Sequence, residues 1–459
     1  MRRRHGAAAP VPGLLALALA VASCLPAYDH PCTTHADCAQ WPGFCNCIDG
    51  LCFRFGCPSV DSSGADADVA PTVTCAPSDL SCCPTDGSDR SARSACVKAT
   101  GKTAPAPLFA PVVHDSGEVM VLATEGPSGA RLLRHGVTLG ETARTSFPAH
   151  PRGFLALRDG RTAVTEGSDV VLVEASGATS RISLGAAVAG PPVELGPTRL
   201  LVPLANGTLV ESTATAKGLT SPPLFAPGAA VEVSVFAATT RAALIDATGV
   251  LHIVALAGVS DAKLIPSGAS EGKVLGAPAI DAQGRVYAVT ASGSLTGLVA
   301  SGGSLYDRLA SVTVGLAPFS PVVGPNDVVA AASGTEKRVV AVSYVGTAAT
   351  TLLIAGPAEL ADVPIASPII DGAGTVIVAL ANNDLVALVR SGGGTTARVA
   401  WRYARPSRLA GGLALLEDGT LVAADDSGGL ARLVGGSGPG TAPWPLAHHD
   451  RRGSGASGL

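Results

Sequence analysis

Short apolar runs, broken by glycine, proline and aspartate, fill the chain from about residue 105 to residue 441. The clearest example is Ser367–Val389, where Ile369-Ile370, Thr375–Leu380 and Leu385–Val389 are separated by turn-forming residues. Apolar runs of this length, rich in β-branched residues and bounded by turn residues, predict strands. The segment is therefore expected to fold as strand, turn, strand, turn, strand.

The same unit recurs along the chain. Pro278, Pro321 and Pro368 occupy one position of it and are separated by 43 and 47 residues. A period of 40 to 50 residues with three or four short strands is typical of a propeller blade. The sequence predicts an all-β fold: a β-propeller of about eight four-stranded blades over 105–441, or seven if one weak copy is a connector. The eight copies begin near Phe109, Gly153, Pro192, Val231, Ala277, Phe319, Ser367 and Gly412.

Aspartate recurs at one hairpin position of these units, in Asp281–Gly284, Asp371–Gly374 and Asp418-Gly419. Aspartate and glycine tolerate the backbone angles of tight turns. Carboxylates also bind calcium, so a calcium site is the alternative. Repetition at an equivalent position in separate blades favours a structural role in the turns.

Two further motifs accompany the repeats: Trp401-Arg402-Tyr403, and Pro443–Asp450 at the start of a terminal segment, 442–459. The small-Pro-apolar strands, the Asp-x-x-Gly turns, a Trp-x-aromatic strand and a terminal Trp-Pro-x-x-x-His-Asp motif resemble those of pyrroloquinoline-quinone-like propellers. The resemblance spans 105–441 and implies the propeller fold expected from the period.

That family contains quinone-dependent dehydrogenases and scaffolds without a cofactor. The sequence departs from the enzymes, because Asp246–Gly249 is one residue short of their cofactor-docking motif, and Cys82-Cys83 lies outside the repeats. Only Trp401 precedes Trp444 in the repeat region, and a flat quinone needs an aromatic platform. The resemblance therefore implies the non-catalytic branch with no cofactor; a quinoprotein-like periplasmic oxidoreductase is the alternative.

Histidine is the residue most often used in acid–base catalysis and metal binding. None of the histidines lies in a recognisable nucleophile or metal motif, so no catalytic residue and no metal are predicted. His448-His449-Asp450 is the best metal candidate, but the resemblance implies that this terminal segment packs against a blade. The other histidines of the repeat region are His114, His135, His150 and His252.

The N-terminus has the pattern of an export signal. Arg2–Arg4 precede the apolar run Leu14–Ala20, which is too short for a membrane span. Val21–Cys24 resembles a bacterial lipobox, which implies a signal peptide over 1–23 and a diacylglycerol on Cys24; ordinary cleavage near Ala22 is the alternative. We expect a lipid-anchored protein of the cell envelope, at the outer membrane because Leu25 follows the lipidated cysteine.

All 11 cysteines lie between Cys24 and Cys96, which defines a neck and linker over 24–104. A segment this short cannot bury much apolar surface, so five disulfides are expected to stabilise it. A metal site formed by His35 with Cys45 and Cys47 is the alternative. Cys82 and Cys83 are expected to pair with separate partners rather than with each other. The ten disulfide candidates are Cys32, Cys38, Cys45, Cys47, Cys52, Cys57, Cys75, Cys82, Cys83 and Cys96.

Charge and composition narrow the functional classes. Apolar residues make up 47% of the chain, charged residues 15%, and the net charge is −4. The absence of a basic patch argues against nucleic acid as a partner. A binding or scaffolding module for a protein or glycan, similar to the lipoprotein scaffold of outer-membrane protein assembly, is expected. The competing class is an enzyme that acts at the axial channel.

Overall fold

In the computed structural model the chain divides into two compact units, Met1–Thr74 and Cys75–Leu459, which are described separately. The described residues are 46–48, 51–53, 83, 90, 96–103, 107–196, 199–206, 208–213, 230–236, 241–255, 261–265, 272–302, 305–392, 394–439 and 456–457.

The described residues of the first unit form a short hairpin of β1 (Asn46–Ile48) and β2 (Leu51–Phe53). Its antiparallel register places Cys47 opposite Cys52. The other candidate cysteines of this unit, and the lipidation candidate Cys24, lie outside the described residues.

The second unit is built from eight sheets, which we number as blades 1 to 8 in chain order. Seven of them have four or five described strands and blade 3 has three. Blades 1 to 4 begin with β4, β8, β12 and β15, and their strands are β4 (Val112–Val113), β5 (Val119–Glu125), β6 (Gly129–His135), β7 (Glu141–Phe147), β8 (Gly153–Ala156), β9 (Thr162–Glu166), β10 (Asp169–Val173), β11 (Thr179–Ser183), β12 (Val193–Gly196), β13 (Arg199–Pro203), β14 (Leu209–Thr213), β15 (Ala230–Phe236), β16 (Arg241–Asp246), β17 (Leu251–Ala255) and β18 (Asp261–Ile265).

Blades 5 to 8 follow the same plan. In blade 6 a 3₁₀ turn, Pro325–Asp327, lies between the first and second strands. Their strands are β19 (Val274–Ile280), β20 (Val286–Thr290), β21 (Ser294–Gly302), β22 (Leu305–Arg308), β23 (Val312–Thr313), β24 (Val322–Val323), β25 (Val329–Ala332), β26 (Val339–Val345), β27 (Ala348–Ala355), β28 (Ile369–Ile370), β29 (Val376–Ala379), β30 (Asp384–Arg390), β31 (Ala397–Ala404), β32 (Leu409–Leu415), β33 (Thr420–Asp425) and β34 (Gly429–Val434).

The predicted all-β propeller is confirmed, and each of the eight sequence copies forms one sheet. The copy at Ser367–Val389, for example, forms β28, β29 and β30 of blade 7. Apolar β-branched residues dominate these strands and are buried on both sides, as expected where sheets are stacked face to face.

Burial distinguishes the inner from the outer strand in blades 1 and 2. All four residues of β8, the first strand of blade 2, are buried, whereas four of the five residues of its last strand, β11, are exposed. The same contrast separates β4 from β7 in blade 1. First strands of neighbouring blades also contact one another, as β4 does β8, β15 does β19 and β24 does β28, so the first strands lie nearest the axis.

Clusters of buried apolar side chains join blades 1 and 2, blades 2 and 3, blades 4 to 6, blades 6 and 7, and blades 7 and 8. Blade 3 contacts blade 4 through β12 and β13, which lie against β15. The last cluster contains Val422 of blade 8 and Val119 of blade 1, so the ring is closed. Each fully buried valine or leucine contributes about 1.5–3 kcal/mol.

An N-terminal strand completes blade 8. β3 (Val97–Lys102) pairs antiparallel with β34 as its outermost strand. The sequence predicts these residues to lie in the neck, because their pairing partner is distant along the chain and leaves no local signal. The propeller therefore begins within the segment 24–104, before residue 105.

A disulfide holds the residues that precede β3. Cys83 and Cys96 are bonded to each other and buried in the cluster between blades 7 and 8. Arg90, in the loop that they close, stacks 4.7 Å from the ring centre of Trp401 and donates to the carbonyl oxygen of Val434 at 2.9 Å. Cys82 lies outside the described residues, but the Cys83–Cys96 bond excludes a vicinal pair.

The two ends of the propeller differ in the strand connections that they carry. Consecutive strands of a blade are antiparallel. The connection between the first and second strands therefore lies at the same end of the propeller as the connection between the third and fourth strands. We call this end the AB face. The BC face carries the second-to-third connections and the links between blades. No helix within the described residues is long and apolar enough to cross a bilayer.

Candidate binding face

The aspartates predicted to form turns lie on the AB face. Oδ1 of Asp281 accepts the backbone N–H groups of Gln283 and Arg285 at 2.9 and 2.8 Å. Oδ1 of Asp371 accepts from Ala373 and Thr375 in the same way, at 3.0 and 2.8 Å. These carboxylate oxygens fix the local backbone, which is the structural role that their repetition predicts.

A second aspartate turn recurs on the BC face. Oδ1 of Asp246 accepts from the backbone N–H of Thr248 at 2.8 Å, and Oδ2 lies 2.9 Å from Nε2 of buried His252. Asp425 forms an equivalent turn with Ser427 in blade 8. The segment that falls one residue short of a quinone-docking motif is therefore a hairpin turn.

Trp401 does not lie at the axis. It is on β31, the outermost strand of blade 7, where Arg90 covers one face and Tyr403 meets its ring edge-on at 5.4 Å. This indole packs the outer part of the ring and offers no platform for a ligand in the axial channel.

Arginines fasten neighbouring blades on the AB face. Arg134 of blade 1 donates to the carbonyl oxygen of Gly160 in blade 2 at 3.0 Å, and Arg432 of blade 8 donates to that of Gly117 in blade 1. The two arginines occupy the same position of the third strand. Each guanidinium binds the left-handed turn of the next blade, so these charges hold the ring together.

A buried polar network lies between blades 5 and 6. Arg285 donates through Nε to Asp281, through Nη1 to the carbonyl oxygen of Tyr344 at 3.1 Å, and lies 3.2 Å from Oδ2 of Asp327. The hydroxyl of Tyr287 donates to Asp281 at 2.8 Å. Burial, and then repulsion by Asp281, raises the pKa of Asp327. The network fastens the two blades through paired charges.

Backbone strain places Asp327 in this network. Asn326 and Asp327 have φ angles of 55° and 56°, the left-handed region that non-glycine residues avoid. Such conformations cost about 1–3 kcal/mol each and persist where surrounding contacts hold them. Here the ion pair between Asp327 and Arg285 supplies such a contact.

The histidines of the repeat region are engaged locally. Nε2 of His114 lies 3.1 Å from the hydroxyl of Thr162, and burial, followed by repulsion from Arg134, lowers the pKa of His114 to about 4. Nδ1 of buried His135 lies 3.2 Å from the carbonyl oxygen of Leu139. Within the described residues, no group of three or more metal-ligating side chains is present. His448, His449 and Asp450 lie outside those residues.

A strained loop distinguishes the BC face. The link between blades 5 and 6 passes through Gly315 and Ala317, whose φ angles are 117° and 48°. Between them lies Leu316, whose residue surface is 56% exposed. An alanine with positive φ is unusual, so contacts must hold this loop.

Hydrogen bonds from both neighbouring blades hold the loop. On the blade 6 side, Ser333 and Thr335 donate their hydroxyls to the carbonyl oxygen of Leu316, at 2.8 and 3.1 Å, and Glu336 accepts from its backbone N–H at 3.2 Å. On the blade 5 side, the carbonyl oxygen of Gly293 accepts from the N–H of Gly315 at 3.1 Å. The backbone is thus fixed while the leucine side chain stays in solvent.

Leu316 differs in this respect from the other exposed large apolar residues. Val137 and Val345 lie at or beside hairpins of the AB face, and Ile354 is on the outer strand β27. Sequence reasoning missed Leu316, because its loop depends on side chains about 20 residues further along the chain. The sequence offers only a weak signal, the apolar pair Leu316-Ala317 between Gly315 and Pro318.

A shallow cleft lies between blades 1 and 2. It contains about 210 Å³ including open solvent, and Met120, Leu132, Arg134 and Thr162 are among its lining residues. Arg134 is already engaged by Glu118 at 3.3 Å and by blade 2. The cleft is therefore less suited to a ligand than the loop around Leu316.

Comparisons with solved structures agree on the fold. BamB from Moraxella catarrhalis superposes with a TM-score of 0.52 and 14% identity, over 73% of this chain and 99% of BamB. The C-terminal WD40 domain of Sif2 gives 0.56 and 12% identity, over 74% and 99% of the respective chains. No protein-family model and no curated protein sequence matches the chain. At these identities the likeness shows a propeller fold.

Proposed function

We propose that this protein is a non-catalytic, lipid-anchored propeller of the cell envelope whose BC face binds a protein partner. The observation that carries the proposal is the strained, doubly held loop that presents Leu316. Strain maintained at the surface is typical of functional positions, and a preorganised apolar side chain binds a partner's pocket with little loss of entropy. An apolar anchor favours a protein over a glycan.

The polar groups of the ring support a binding role rather than catalysis. Asp281, Asp371 and Asp246 are engaged in turns, and Arg134 and Arg285 fasten blades. A catalytic site needs acid, base or nucleophile groups that converge on a pocket. In the described chain these groups are used to hold the scaffold.

Anchoring rests on the sequence. The lipobox-like Val21–Cys24 follows an apolar run, and a diacylglycerol on Cys24 would insert into a leaflet at about 0.8 kcal/mol per buried methylene. We expect the protein to partition with envelope membranes, at the outer membrane, and a Cys24→Ala variant to be released to the soluble fraction. Mass spectrometry of the mature N-terminal peptide checks the modification; an unmodified Cys24 would contradict it.

Photo-cross-linking tests the BC face. With benzoylphenylalanine at position 316 of the full-length protein in its own envelope, we expect a discrete cross-linked protein. The same probe at Val345, which is 77% exposed and lies on the AB face, is the matched control and should not give that product. Identical products from both positions, or none from 316, would rule the proposal out.

Leu316→Glu gives a quantitative version of the test. A leucine hot spot worth 2 kcal/mol corresponds to a loss of about 30-fold in affinity for the captured partner, because each 1.4 kcal/mol is tenfold. Stability should change by less than about 0.5 kcal/mol, since the side chain is exposed. Titration calorimetry with the partner protein that cross-linking identifies measures the affinity, and thermal unfolding measures the stability.

A further inference from the structure

The first strand of blade 4 has an edge that faces the ring interior. β15 pairs with β16 along its outward edge and lies against first strands of both neighbouring blades, β12 and β19. Since the first strands are the innermost ones, the second edge of β15 is directed toward the axis. Edge strands carry backbone N–H and C=O groups that can pair with another extended segment.

The chain's own terminal segment occupies part of this edge. β35 (Ala456–Ser457) pairs with Val235 and Phe236 of β15, and it also lies against β12. This pairing is parallel, whereas the strands within each blade pair antiparallel. β35 is not a blade strand; it is an added segment from a distant part of the sequence.

The occupant is a weak strand former. Gly453–Leu459 reads Gly-Ser-Gly-Ala-Ser-Gly-Leu, and glycine is depleted in strands because it brings no side chain to pack. β35 also pairs with only two of the seven residues of β15. A tethered segment binds at an effective concentration of roughly millimolar, so weak pairing suffices to keep it in place.

We propose that the inner edge of β15 is a docking site for an extended peptide that adds a parallel strand, and that β35 is its displaceable internal occupant. Main-chain hydrogen bonds would give affinity, as in other cases of strand addition. The favoured peptide carries β-branched residues where the chain's own tail has Ala456 and Ser457. This site is separate from the BC face and does not depend on Leu316.

The test uses the full-length chain and two fluorescein-labelled peptides. One has the tail sequence of 451–459, and the other is the same with valine and threonine in place of Ala456 and Ser457. Since proline donates no hydrogen bond to a ladder, the double variant Ala456→Pro, Ser457→Pro should free the edge. Ser454→Pro, outside β35, is the matched control.

We expect fluorescence anisotropy to show at least tenfold tighter binding of the valine–threonine peptide to the double variant than to wild type or Ser454→Pro. The tail peptide should bind more weakly than the valine–threonine peptide. If the valine–threonine peptide bound equally well to wild type, the double variant and Ser454→Pro, or bound to none of them, the proposal would be overturned. A Leu316→Glu variant should leave these affinities unchanged, which separates this site from the BC face.

Discussion

Replacing Asp281 with alanine is expected to lower the free energy of unfolding by about 3–5 kcal/mol. The carboxylate is fully buried and accepts from Arg285, Tyr287 and two backbone N–H groups. Its removal deprives the Arg285 guanidinium of the carboxylate that its Nε contacts and opens the turn. Urea unfolding followed by circular dichroism measures the loss.

Asp159→Ala is the matched control, since Asp159 occupies the corresponding turn of blade 2 and pairs with Arg161. Its side chain is 31% exposed, so a loss of at most about 1 kcal/mol is expected. Replacing Asp281 and Arg285 with leucine together with Asp327→Asn should destabilise less than Asp281→Ala, because the buried pair is removed and Asp327, the other carboxylate that contacts Arg285, no longer carries a charge. Equal losses for Asp281→Ala and Asp159→Ala would show that the network does not fasten blades 5 and 6.

Removing the Cys83–Cys96 disulfide by a double alanine substitution is expected to cost about 3 kcal/mol, because the bond closes a loop of modest length. The two cysteines are 13 residues apart, and both are buried against blades 7 and 8. Arg90 lies in the closed loop and should lose its stacking on Trp401 more readily once the loop is open. Urea unfolding gives the cost, and tryptophan fluorescence reports the environment of Trp401 once Trp41 and Trp444 are replaced with phenylalanine.

Arg90→Met provides the comparison for that effect. It removes the guanidinium and its hydrogen bonds while it leaves the disulfide in place. If the double alanine variant were as stable as wild type, the bond would not restrain the closure of the ring. Peptide mapping without reduction should recover Cys83 linked to Cys96 in the wild-type protein.

The repeats were predictable because each blade is specified locally. Ser367–Val389 contains its three strands and both turns within one short stretch, and Asp371 needs only the next few residues to form its turn. Hydrophobic periodicity and turn chemistry operate over such distances. The same local rules identified the weak copies, including the one that forms blade 3.

The contacts between blades could not be predicted in this way. Arg134 binds Gly160 through the geometry of two packed sheets, and Leu316 is held by residues of a different hairpin. The sequence position of Val97–Lys102 predicts that it belongs to the cysteine-rich neck. In the structure it belongs to blade 8, since its partner strand β34 lies near the other end of the chain. Composition carries no information about pairing over that distance.

Closure by β3 has a consequence for how the protein folds. Val97 lies opposite Leu433, so joining them requires almost the whole propeller to be present. Bringing such distant residues together costs chain entropy and slows folding. During synthesis β3 remains unpaired until β33 and β34 have been made. The free edge of β34 can then pair with β3 of a second molecule instead. Exchange of β3 between copies is therefore the misassembly that this topology favours.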